Sequence, residues 1–171
     1  MKNIFICLTL GVVYSHTNPA NYTKIPDDGK CRVLALRGGG TRGAYEAGAL
    51  KAMAELLEPI DIAYDVFAGV SIGALNGALL SSFDRGDEAE AIKTLVKLWQ
   101  SYGITDLWDT WPIFGYFAMI WKQSVLDNQK LLEMVKKEMN GRSFKKMLNL
   151  ISVDLNTGDV VIFDEFTPIE K

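Results

Sequence analysis

The sequence predicts an α/β fold built on a mainly parallel sheet, and three observations carry that expectation. Residues 32–36 (RVLAL) and 65–68 (DVFA) are short apolar runs with β-branched or aromatic members, the pattern of buried strands. Each run enters a glycine-bearing turn, RGGGTRG at 37–43 and GVSIG at 69–73, and each turn opens a helical stretch, 44–57 and 74–80. The first helix bridges the two strands, and a strand–helix–strand crossover of this kind joins parallel neighbours.

The first strand opens at Cys31, which is expected to be a buried, inert thiol. In the helix behind it, Ala47, Leu50, Ala54 and Leu57 recur on one face with Met53 beside them, while Glu46, Lys51 and Glu55 lie mostly away from that stripe. Pro59 ends the helix. After the second glycine turn, Asp87 and Glu90 form a capping-box pattern ahead of a helix that buries Ile92, Leu95, Val96 and Trp99 and stops near Gly103. A further helix begins near Asp127 or Asn128, turns Leu131, Met134 and Val135 inward, and ends at Asn140-Gly141 behind Lys136 and Lys137. Residues 148–154 and 160–163 read as strands that pair as a hairpin around the Asn156-Thr157-Gly158 turn. Between the two later helices, residues 107–121 (LWDTWPIFGYFAMIW) hold six aromatics and one charge, Asp109. Such a stretch suits either a lipid-contacting surface or plain core packing under a long connection.

Composition narrows the function. The 171 residues are 49% hydrophobic, the content of one globular domain, and carry a net charge of −3 with no dominant basic cluster, so nucleic acid is not an expected partner. Residues 1–15 have a lysine at position 2, an apolar run over 4–13 and small residues before position 16, the layout of a signal peptide. Residues 16–30 form a polar leader, in which Asn21-Tyr22-Thr23 is an N-glycosylation sequon. These features point to the secretory pathway or the extracellular space, with a cytosolic protein as the alternative if the segment is not a signal. Cys7 would leave with the signal, so no disulfide within the remaining chain is expected.

The second glycine turn is the chemically informative one. Gly69-Val70-Ser71-Ile72-Gly73 fits G-x-S-x-G between a strand and a helix, the setting of a nucleophile elbow. Ser71 would stand on a strained turn whose flanking residues, Gly69 and Gly73, have no room for side chains. The helix beyond aims unpaired amides and its positive end at the serine. The only histidine is His16, beside the expected cleavage site, so a Ser-His-Asp triad is excluded by inventory.

With both turns in place, the chain resembles the patatin-like phospholipases. The resemblance rests on Gly38-Gly39-Gly40-Thr41-Arg42-Gly43, on Gly69-Val70-Ser71-Ile72-Gly73 and on Asp154-Leu155-Asn156-Thr157-Gly158, in that order, and covers residues 31–163. It implies a three-layer α/β/α fold and hydrolysis of acyl-lipid esters, phospholipids among them, by a Ser–Asp dyad, with transient contact at a lipid surface and no metal or organic cofactor. Ser71 is the implied nucleophile. The turn formed by Gly38, Gly39, Gly40, Thr41, Arg42 and Gly43 is the implied oxyanion hole. Arg37 stands where the family often has an aspartate or small polar residue. The family's dyad aspartate sits in a D-G-A or D-G-G motif, and no such motif follows Ser71 here. Residues 31–171 therefore read as an incomplete catalytic domain that lacks its base and the last strands of its sheet, poorly active as it stands.

Two other classes fit parts of the pattern. A catalytically inactive, lipid-binding remnant would keep the fold without the chemistry. A dinucleotide-binding module would use Gly38, Gly40 and Gly43 as G-x-G-x-x-G, with Asp61 or Asp65 as the ribose-binding acid, but it leaves the serine turn without a purpose.

Overall fold

The computed structural model describes residue 25 and residues 27–103, 129–154 and 156–167. The expected signal segment, Asn21, residues 107–121 and the start of the helix near Asp127 lie outside the described residues. The element order is β1 (Val33–Leu36), α1 (Gly43–Leu56), β2 (Val66–Val70), α2 (Ile72–Ser81), α3 (Glu88–Ser101), α4 (Gln129–Met139), β3 (Met147–Val153) and β4 (Val160–Asp164). Two 3-10 turns, Gly40–Arg42 and Pro59–Ile62, precede α1 and β2.

The four strands form one sheet in the order β1-β2-β3-β4. β1 runs parallel to β2 with Leu34 opposite Phe67, and β2 runs parallel to β3 with Phe67 opposite Leu148. β4 returns antiparallel, Leu150 opposite Phe163, around a turn in which the Gly158 amide donates to Asp154 O at 2.7 Å. The expected βαβ unit and hairpin are therefore both present in one mixed sheet.

Side-chain alternation sorts the core. Leu36, Phe67 and Leu148 point to the face carrying the helices, where they pack with Ala47 and Leu50 of α1, Leu79 and Leu80 of α2, and Ala91, Ile92 and Leu95 of α3. Phe67 and Tyr64 meet edge to face at 5.9 Å between ring centroids. On the opposite face Val33, Val70, Val153 and Ile162 are exposed.

One ion pair sits inside this core. Lys146 Nζ lies 2.9 Å from Glu88 Oε1, with 3% and 4% of the two side chains exposed, and the other Glu88 oxygen accepts the Gly86 amide at 2.7 Å. The lysine also lies 5.3 Å from the centroid of the Phe67 ring. Burial, with the nearby Glu88 carboxylate second, pushes the Tyr64 hydroxyl above its ordinary range.

Three expectations are corrected. Cys31 is exposed, because pairing starts only at Val33 of an edge strand. Leu57 has left the helix with φ −104° and ψ 157°, and it is 43% exposed. Asp87 precedes α3 but makes no side-chain capping bond, and Glu90 pairs with Lys93 at 3.3 Å instead of reaching back. In α4, Leu131, Met134 and Val135 are half-buried while Leu132, Glu133, Lys136 and Lys137 are exposed, so the expected stripe is the inward face.

Candidate active site

The two glycine turns meet at the carboxyl edge of the parallel strands, the edge where open α/β sheets present ligand sites. β2 ends at Val70, and Ser71 reverses the chain into α2 with φ 54° and ψ −122°. It is the one non-glycine residue with positive φ among the described residues. A conformation of this kind costs about 1–3 kcal/mol and persists only where its surroundings fix it.

The surroundings are tight. A Cβ on Gly69 would lie 2.3 Å from Gly73 O, and a Cβ on Gly73 would lie 2.5 Å from Leu36 O, so the chain crosses itself and β1 with no space for side chains. The Ser71 side chain itself stands at the surface. Ile72 is the first residue of α2, so its amide belongs to the helix terminus that has no partner within the helix.

The other glycine turn lies against the serine. A Cβ on Gly38 would fall 3.3 Å from Ser71 Cβ and 3.3 Å from Val70 O. Gly40 has φ 58°, which swings the chain into the 3-10 turn Gly40–Arg42. Within the turn the Arg42 amide donates to Gly39 O at 3.2 Å, and the Gly43 amide donates back to Gly40 O and Thr41 O. The Arg42 and Gly43 amides are thus engaged by the turn itself. The Gly39 amide donates no hydrogen bond among the described residues. The Arg42 side chain folds over Gly39, its Nε 3.4 Å from Gly39 O, while Thr41 and Arg37 are exposed. Gly43 is buried, and a Cβ there would meet Trp99 Cζ2 at 2.5 Å and Ile72 Cγ1 at 2.6 Å. Its place is the seam between α1, α2 and α3 rather than the open edge.

Sequence reasoning missed the polar cluster behind that seam. Asn76 is 2% exposed. Its Nδ2 donates to Gly43 O at 3.2 Å and to Glu46 Oε2 at 2.9 Å, and its Oδ1 accepts from Trp99 Nε1 at 3.0 Å. The available signal was an asparagine in the middle of an otherwise apolar helix.

The acids proposed for a ribose lie at the wrong edge. Asp65 stands just before β2, roughly 15–20 Å from the glycine turns at about 3.3 Å per strand residue. Its carboxylate is taken up there, accepting the Arg32 amide at 2.8 Å on Oδ2. Arg85 Nε lies 3.1 Å from Asp65 Oδ1, an ion pair too bent to count as a hydrogen bond. Asp61 sits in the 3-10 turn at the same remote edge. Among the described residues no group of three or more His, Cys, Asp or Glu side chains could hold a metal ion. No helix among them is long and apolar enough to cross a membrane.

The profile of the Patatin-like phospholipase family matches residues 34–166. Over 84 residues, 48% of this chain, the sequence is 36% identical to a cUMP-AMP-activated phospholipase of Escherichia coli. It is 31% identical over 110 residues, 63% of this chain, to calcium-independent phospholipase A2-gamma of Oryctolagus cuniculus, and to the same degree to that of Homo sapiens. These matches span 26% of the bacterial protein and 13% of each mammalian one.

Proposed function

From the premise that the chain belongs to the patatin-like phospholipase family, we propose that it carries the nucleophile and oxyanion hole of a lipid acyl hydrolase, with Ser71 as the nucleophile. The observation that carries the reading is the backbone of Ser71, held at φ 54° at the strand–helix turn with the Gly38 turn packed against it. Strain of this kind concentrates at reactive side chains.

In this reading Ser71 Oγ attacks the acyl carbonyl carbon, and the carbonyl π pair moves onto oxygen. The amides of Gly39 and Ile72, with Gly40 nearby, hold that oxyanion where its charge develops. The ester C–O bond then breaks, the alcohol leaves with the proton given up by Ser71 Oγ, and water releases the fatty acid from the acyl-Ser71 ester as a proton returns to Oγ. The substrate is a phospholipid or another acyl lipid met at a lipid surface. The dyad's aspartate has no matching D-G-A or D-G-G motif after Ser71 in these 171 residues. That departure keeps a second reading in play, a fold that binds lipid without turning it over.

The test compares hydrolysis of a fluorogenic acyl ester by this chain, by the chain extended with a relative's D-G-A or D-G-G segment, and by the Ser71→Ala form of each. The hydrolase reading requires turnover in the extended chain that disappears with Ser71→Ala. Lipid-vesicle binding without turnover in either length supports the second reading. The proposal extends to the secretory route: expression in a eukaryotic secretory system should remove residues 1–15 and place glycan on Asn21, and mass spectrometry showing Met1 retained with a bare Asn21 refutes it.

A further inference from the structure

Directly behind Ser71, three helices meet at one buried amide. Asn76 lies five residues into the chain after Ser71, about 7.5 Å along α2. Both functional ends of its side chain are used: Nδ2 donates to Gly43 O and Glu46 Oε2 of α1, and Oδ1 accepts from Trp99 Nε1 of α3. A buried primary amide is costly unless satisfied in this way, and a leucine would fill the same space without that demand.

What these bonds grip is the end of the glycine turn. Gly43 closes the turn that begins at Gly38, and its carbonyl is the group Asn76 holds. The Trp99 ring and Ile72 side chain occupy the space where a Gly43 Cβ would stand, at 2.5 Å and 2.6 Å. Ile72 is the residue after Ser71. One side of the grip therefore belongs to the glycine turn and the other to the elbow helix. The two amide sources of the oxyanion hole, Gly39 and Ile72, are set relative to each other through it.

We propose that Asn76 is a positioning residue which, with Trp99 and Glu46, fixes the glycine turn against the Ser71 elbow and so holds the oxyanion donors in register. The inference rests on the reading of Ser71 as nucleophile. Asn76 touches no substrate, and its effect passes through Gly43 and Ile72. Misplacing catalytic groups by about 1 Å costs on the order of 10²-fold in rate. The loss falls on the step in which the oxyanion forms, not on ground-state binding.

The test uses the full 171-residue chain and an alkyl fluorophosphonate. The Ser71 Oγ–P bond forms, the P–F bond breaks, fluoride departs and the hydroxyl proton passes to water, with the phosphoryl oxygen in the oxyanion position. Intact-mass kinetics give the limiting rate kinact and the half-saturating concentration KI. Asn76→Leu should lower kinact about tenfold to a hundredfold with KI unchanged. Trp99→Phe, which removes the N–H donor together with the Cζ2 edge of the indole beside Gly43, should lower it about threefold to tenfold. Ile92→Val, a core change on α3, should leave both constants unchanged. If Asn76→Leu fails to fold by circular dichroism, Trp99→Phe carries the test. A wild-type kinact in a folded Asn76 or Trp99 variant overturns the proposal, as does an equal fall in Ile92→Val. Absence of any adduct on wild-type Ser71, both in this chain and in the chain extended with a relative's D-G-A or D-G-G segment, is a separate outcome, which overturns the reading of Ser71 and this inference with it.

Discussion

Gly73→Ala and Gly48→Ala make the same chemical change in two helices, and the structure requires opposite results. A Cβ at Gly73 would lie 2.5 Å from Leu36 O, 2.6 Å from Leu36 C and 2.9 Å from Arg37 O. Ordinary contact begins at 3.4 Å, so the start of α2 must back away from β1 by about 0.9 Å. The obstacle is backbone inside a parallel sheet, which yields little. Forced overpacking of this kind costs about 1–3 kcal/mol, partly offset by the ~1 kcal/mol that alanine gains over glycine in a helix. At Gly48, exposed in α1, nothing lies within 4 Å of the added methyl, so only the gain of roughly 0.5–1 kcal/mol remains. A domain of this size moves by about 2–4 °C per kcal/mol, so thermal unfolding should rise by about 1–4 °C for Gly48→Ala and fall by up to about 8 °C for Gly73→Ala. The displacement at position 73 also carries Ile72 and Ser71 with it, so fluorophosphonate labelling should slow by about 10²-fold in Gly73→Ala and stay unchanged in Gly48→Ala. Equal melting temperatures and equal labelling rates for the two variants would refute the claim that close approach fixes this turn.

Three further outcomes are expected. Ser71→Gly removes the side chain from a residue at φ 54° and should raise the melting temperature by an amount equivalent to about 1–3 kcal/mol, whereas Ser71→Ala, which keeps a Cβ in the same conformation, should not. Lys146→Met strands the buried Glu88 carboxylate and should cost about 3–5 kcal/mol in a urea titration, and adding Glu88→Gln should restore most of it. The Arg32 guanidinium donates to both oxygens of Asp28, at 2.8 and 3.0 Å, and holds that carboxyl well below its ordinary range. Because the folded-state value is the lower one, the pair's contribution is complete above about pH 4 and is lost as pH falls through the depressed value. Arg32→Gln should return the Asp28 titration, followed by carboxyl NMR, to the ordinary carboxylate range.

Legibility in the sequence followed the locality of the physics. The βαβ unit and the hairpin were readable because alternation, helical periodicity and glycine turns are properties of consecutive residues. Burial at element ends was not. Leu57 fits the α1 stripe by spacing, but Pro59 biases the residues before it toward extended backbone, and Glu58 and Leu57 both adopt it. Asp87 has a capping sequence, yet its φ of −104° and ψ of 19° lie outside the extended region that N-caps favour. The buried anchors were the least visible part. Glu88 and Lys146 lie 58 positions apart, and Trp99 lies 23 beyond Asn76, so no local pattern links them. What the sequence did carry was the demand for glycine on either side of Ser71: for Gly69 the close approach, to Gly73 O, occurs within one turn, whereas for Gly73 the obstacle is Leu36 O of β1.

The same placement bears on the base that Ser71 would need. Two aspartates of the hairpin, Asp154 and Asp164, are candidates for that role, and Asp154 is the nearer. Val70 pairs with Ile151, so Asp154 stands two strand positions beyond the level of Ser71, about 8 Å away allowing for the strand spacing. Its Oδ1 accepts the Asn156 amide at 2.8 Å, and its backbone closes the hairpin with Asp159 and Gly158. The carboxylate is thus built into the turn. Asp164 pairs with Asn149, level with Ala68 and two strands from Ser71, about 14 Å away. The Thr167 hydroxyl at 2.7 Å, then the backbone amides of Phe166 and Thr167, lower its pKa, and a carboxylate weakened as a proton acceptor makes a poorer general base. A positioned base is worth about 10²–10⁴ in rate, and neither aspartate is placed to supply it. The gain on adding a relative's D-G-A or D-G-G segment should therefore be of that order. It should survive Asp154→Asn and Asp164→Asn, because the proton would pass to the added carboxylate.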